Sequence, residues 1–183
     1  MGLEVRQTVA GIGRNRGLKE SAPPSEKASI RARRRTADDG GLIAVYWAQN
    51  GNEGSLAKAS NIDLYAYINI AFLMQFGNGR DLVLNLAGHC DPAWNTCTKF
   101  GQEIKTCQSK GIKVLISIGG AVGSYSLSFA NDAKNVANII WNSYLGGTDS
   151  SATCPYGDDA VLDSVDFDIV NGSTVSIVDR HRW

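Results

Sequence analysis

A chain of 183 residues with 43% hydrophobic content is long enough to bury a core of its own. Its 18 basic and 18 acidic side chains cancel, which excludes the strongly basic footprint of a nucleic-acid binder. No apolar run approaches the roughly 20 residues that span a bilayer, so a soluble protein is expected.

The charge balance is uneven along the chain: residues 1–40 carry nine basic and five acidic side chains, residues 41–183 nine and thirteen. The first 40 residues contain "SAPPSEK" and "RARRR" and little that could pack, so a disordered basic leader is expected there. They lack the apolar core of a secretory signal. Glu4, Glu20 and Glu26 count against a transit peptide, and Arg31, Arg33, Arg34 and Arg35 make only a weak nuclear-signal match.

From Gly41 the texture alternates. "LIAVYWA" (Leu42–Ala48), "YAYINIAF" (Tyr65–Phe72), "KVLISIGG" (Lys113–Gly120) and "LDSVDFDIV" (Leu162–Val170) read as strands. Helices are expected after Ser55, over Gly101–Lys110 closed by Gly111, and over Asp132–Leu145. In the last, Ala133, Val136, Ala137, Ile140, Trp141 and Tyr144 share one face, with Asn131 or Asp132 as cap and Gly146 as stop. Near-continuous apolar strands joined by helices imply a parallel sheet covered by helices. An open doubly wound sheet would carry a phosphate loop, but "AQNGNEGSL" and "IGGAVGS" miss the required glycine spacings. A (β/α)8 barrel places chemistry at the carboxy ends of its strands, where Asp166 and Asp168 fall.

The cysteines are Cys90, Cys97, Cys107 and Cys154, with no CxxC pair and only two histidines, His89 and His181, so neither a metal site nor a cofactor is expected. Cys90 and Cys97 bracket "DPAWNT". Their spacing favours a disulfide and an oxidising compartment, against the alternative of four reduced thiols.

On the last strand Asp166, Asp168 and Val170 point to one face, and Val165, Phe167 and Ile169 to the other, where helices should cover them. Two neighbouring carboxylates in a poorly hydrated interior repel, so one is expected to hold a proton that the other accepts. A calcium loop would need an oxygen ligand where Val170 stands. A structural role, with the aspartates bonded to backbone or hydroxyl groups, is the plainer alternative.

"GLIAVYWAQNGNEGSL", "YINIAF", "NLAGHC", "KVLISIGG" and "LDSVDFDI" together resemble the plant class III chitinases, the hevamine-like members of glycoside hydrolase family 18. The resemblance covers about Gly41 to Ser173 and implies the first half of a (β/α)8 TIM barrel, strands one to four. It also implies a secreted or vacuolar protein acting on chitin or N-acetylglucosamine oligosaccharides. The family motif DxxDxDxE falls on Asp163, Asp166, Asp168 and Val170. In the family the glutamate protonates the leaving oxygen, and the aspartate two residues earlier orients the substrate's acetamido group, whose oxygen is the nucleophile. This is the substrate-assisted exception to the two-carboxylate scheme. Tyr46, Gln49 and Asn85 match positions lining the sugar cleft, as does the backbone at Gly120 and Ala121, and Cys90 with Cys97 matches a family disulfide.

The chain departs from the pattern in several places. Val170 cannot transfer a proton, and loss of a positioned acid costs about a hundredfold to ten-thousandfold in rate, so hydrolysis should be close to absent. Ser60 occupies the position of the partner of Cys107, and Cys154 lies in an added loop, "TDSSATCPYGDD". After Thr174 the tail 174–183 is unlike the family. A half barrel is therefore expected, with unpaired edges that invite self-association. Restoring glutamate at 170 alone is not expected to rescue activity. Family relatives without the acid suggest the alternative of a carbohydrate-binding or glycosidase-inhibiting protein. Asn171–Ser173 forms an N-glycosylation triplet.

Overall fold

The computed structural model describes residues 43–62 and 64–170, together with the backbone of a short strand, β1 (Val5–Arg6). The rest of the leader, the tail 174–183 and the Asn171 triplet lie outside the described residues. The backbone of β1 pairs antiparallel with the outer edge of β2 (Ile43–Trp47), a pairing that the expectation of a wholly disordered leader did not include.

Four parallel strands form the frame in the order β2, β3 (Tyr65–Gly77), β5 (Lys113–Gly119), β7 (Ser164–Asp168). β2, β3 and β5 are largely apolar runs of the kind that a doubly covered sheet selects, while β7 (SVDFD) has no fully buried position. Ile68, Ile70, Val114 and Ile116 are fully buried. Helix α1 (Leu56–Ala59) starts at Ser55, whose hydroxyl accepts from the Lys58 N–H. Helix α2 (Phe100–Ser109) buries Phe100, Ile104 and Cys107 and stops where Gly111 turns at φ +77°. Helix α3 (Ala130–Tyr144) buries Val136, Ile140 and Tyr144. These helices join successive parallel strands, so the described chain is an arc of a (β/α) barrel.

Several details differ from the sequence reading. The second strand runs on to Gly77 and turns back through Asn78 and Gly79, both at positive φ, into β4 (Arg80–Leu84). Asn-Gly between apolar runs is a strong hairpin signal. Strand β6 (Ser124–Tyr125) then joins β3 beyond the hairpin. Helix α3 begins two residues earlier than Asp132, with Phe129 at its cap and no side-chain cap bond. Asp132 instead accepts the backbone N–H groups of Asn78 and Ser128, tying the hairpin to the helix. Trp141, placed on the inner face by spacing, is 54% exposed.

Candidate active site

Tyr46, Asn69, Ser117 and Asp166 come one from each frame strand and meet at one level of the arc. Register explains part of this, since Tyr46 lies opposite Asn69 and Ser117 opposite Asp166. Curvature explains the rest. In a flat sheet, β2 and β7 with two strands between them would stand about 14 Å apart. Yet the Tyr46 hydroxyl donates to Asp166 Oδ2 at 3.0 Å, so the sheet curls as a barrel wall does.

Asp166 Oδ2 also accepts from the buried Ser117 hydroxyl at 2.7 Å. Burial, then the charge and hydrogen bond of Asp166 and the charge of Asp168, push the Tyr46 hydroxyl up to about 12. Asn69 bonds the same hydroxyl, a contact that pulls the other way. Its own Oδ1 is buried with no partner among the described residues, the kind of unfilled acceptor that calls for an explanation in a native interior.

Asp163 precedes the strand. It takes Lys113 Nζ at 2.6 Å, the Val114 N–H at 3.0 Å and Gln108 Nε2 at 3.0 Å. Burial works against its ionised form, but the Lys113 ammonium and these donors hold its carboxyl below the ordinary range. This first aspartate fits the structural alternative, while Asp166 is bonded from two sides by hydroxyls.

At the end of β7 the Asp168 carbonyl accepts the Gly120 N–H at 2.8 Å. Gly119 lies at φ +116°, and a Cβ there would stand 2.2 Å from that same carbonyl oxygen, so only glycine fits the crossing. Val170 lies past the strand, 52% exposed, and its N–H donates to the Tyr125 hydroxyl at 3.0 Å. Phe167, expected under helices, is 68% exposed, while Val165 and Ile169 pack on the core. No described element lies over Phe167.

The positions matched to a sugar cleft lie around the rim. Gln49 Nε2 donates to the carbonyls of Ala71 (2.7 Å) and Ala48 (3.0 Å) and, at 3.3 Å, to that of Asn85. Glu53 holds the turn under Gln49 by accepting from the Ala48 and Asn50 N–H groups. Its Oε1 also lies 3.2 Å from Nε2 of His89, whose ring lies over Trp47. The Tyr46 ring lies 5.7 Å from that of Phe72, and a Cβ on Gly120 would press on the same Phe72 ring at 3.1 Å. A cavity of ≈ 490 Å³ opens beside Asn85, walled by Val83, His89, Asp91, Pro92 and Thr96, and does not reach Asp166. Ala121 is exposed just after Gly120.

Cys90 and Cys97 are joined by a disulfide. Cys107 is a buried thiol that neighbours the buried Ser60, and Cys154 is a half-buried thiol. Among the described residues no cluster of side chains suits a metal ion, and no helix is long and apolar enough to cross a membrane.

Ser117, Asn69 and Tyr125 escaped the sequence reading. The first two sit on strands read only for their apolar residues, and nothing local marks them. They could have been found by aligning the strands on Tyr46 and Asp166.

An arc of parallel strands joined by helices, with the carboxylates of Asp166 and Asp168 toward the carboxy end of the last strand, is the layout of a (β/α)-barrel enzyme face. Residues 42–179 match the family model described as glycosyl hydrolases family 18, and the chain belongs to that family. An acidic endochitinase from Vitis vinifera is 55% identical over 163 residues, covering 89% of this chain and 53% of its own length. The crystal structure of the ICChI chitinase from Ipomoea carnea aligns with a TM-score of 0.67 at 48% identity, over 71% of this chain and 47% of that one. A xylanase and α-amylase inhibitor protein from Scadoxus multiflorus aligns at 0.64 and 41% identity, over 70% of this chain and 45% of that one. The chain thus spans about half the length of the curated relatives it matches.

Proposed function

We propose that the chain carries a cleft for β-1,4-linked N-acetylglucosamine oligosaccharides whose hydrolytic step is disabled. Tyr46, Gln49, Asn85 and the Gly120–Ala121 backbone line it, and Asp166 and Asp168 stand beneath the reacting sugar. Asp166 is held by the hydroxyls of Tyr46 and Ser117. Asp168 orients the acetamido group so that its oxygen can attack the anomeric carbon. The bond to the leaving sugar breaks only as its oxygen receives a proton, and the position for that donor holds Val170.

The observation that carries the reading is this contrast over five residues: a hydroxyl-bonded carboxylate at 166, on β7, and a hydrocarbon side chain at 170, just past it. Without a positioned acid, turnover should fall by about a hundredfold or more. The test is hydrolysis of a chitin oligosaccharide beside calorimetric binding of the same ligand. Binding without turnover is expected, and turnover at the rate of an acid-bearing family member overturns the proposal.

A second reading, inhibition of other glycosidases, is favoured by the likeness to the xylanase and α-amylase inhibitor. Assays of a xylanase and an α-amylase with added chain decide it, since unchanged rates remove it. A secreted or vacuolar location is proposed with either reading, supported by the Cys90–Cys97 disulfide.

A further inference from the structure

The loop closed by Cys90 and Cys97 carries Trp94, 79% exposed. A single exposed aromatic residue is ordinary, so exposure alone argues nothing. Two further observations set this one apart.

The loop is fixed. The Asp91 carboxylate accepts the Ala93 N–H at 2.9 Å, capping the 3-10 turn Pro92–Trp94, and Asn95 reverses the chain in the left-handed region. The Asp91 N–H donates to the Thr96 hydroxyl at 2.7 Å, and that hydroxyl also lies 3.1 Å from the Asp91 carbonyl. Proline, disulfide and paired bonds leave little for a ligand to freeze out, so the indole is presented at low entropic cost.

The same loop also walls the cavity beside Asn85. Asp91, Pro92 and Thr96 line it together with Asn85 and His89. Those residues bring hydroxyl, carboxylate, amide and imidazole groups of the sort that a sugar's hydroxyls need to the cavity wall, and Trp94, a flat apolar ring suited to a pyranose face, belongs to the same short turn as Pro92.

We infer that Trp94 is a stacking platform for a pyranose of a β-1,4-linked N-acetylglucosamine chain, forming with the cavity beside Asn85 a sugar subsite on the stapled loop, away from Asp166. The inference rests on the oligosaccharide reading above. The subsite lengthens the binding surface, so its contribution grows with ligand length and is absent for a ligand too short to reach the loop.

The experiment measures binding of the full chain to chitin oligosaccharides of increasing length, together with its retention on chitin beads. Trp94→Ala should weaken binding of the longest ligand by about tenfold or more, the scale of truncating an aromatic anchor. It should leave the shortest binding ligand unaffected, and Trp94→Phe should recover most of the loss. Trp141→Ala, at the exposed indole of α3, serves as the control and should change nothing. Equal affinity of Trp94→Ala and the unsubstituted chain for every ligand overturns the subsite alone. Failure of the unsubstituted chain to bind any of them overturns the ligand class, and with it both readings.

Discussion

Asp163 and Asp166 stand three residues apart and illustrate how differently one residue type behaves in one short stretch. Asp163 faces an ammonium, a backbone N–H and an amide, and its depressed carboxyl makes it a source of stability above the ordinary carboxyl range near about pH 4. That contribution is lost as pH falls through the lower folded value. Asp163→Asn should therefore flatten the acid limb of a stability profile measured by urea unfolding from neutral to low pH. Tyr46 behaves in the opposite sense. Its hydroxyl ionises at 10.0 ordinarily and at about 12 in the fold, so the neutral folded form is favoured below pH 10 and the advantage is lost as pH rises to about 12. Tyr46→Phe should remove one late-ionising tyrosine from a spectrophotometric titration and make stability less sensitive across that window. The sequence disclosed the acids but not their division of labour, because Lys113, Gln108 and Ser117 lie some 50 residues away in the chain and reach them only through strand register.

Strand β3 shows why element boundaries were only partly legible. Its apolar first half was read correctly, whereas the extension through Phe76 and the Asn78–Gly79 turn was passed over although the turn chemistry is explicit. The long β3 matters because β4 and β6 both pair with its far end and carry Asn85 and Tyr125 toward the rim. Helix α3 was legible from its apolar spacing and its Gly146 stop, but the Asp132 carboxylate, read as a cap, is committed to the hairpin instead. Between α1 and α2 a buried hydroxyl touches a buried thiol, Ser60 against Cys107. Ser60→Cys should close a second disulfide on oxidation, visible by mass spectrometry under non-reducing conditions. A loop of that length should gain about 4 kcal/mol on the chain-entropy relation, read as a higher unfolding midpoint that reductant abolishes.

On the scale of the whole molecule, the described strands make an arc in which β5 covers one edge of β7, and the aromatic side chain of Phe167 faces solvent. Such an edge with an apolar neighbour favours pairing with another copy. Sedimentation should show concentration-dependent association that Phe167→Lys reduces, and a monomer at every concentration would refute this. Position 170 is held by its backbone, through the hydrogen bond to Tyr125, and half of the residue lies in solvent. An anchor made by the backbone and a half-exposed side chain leave the fold little hold on which residue stands at 170, so the chemistry of that position can change while the strand end stays in place.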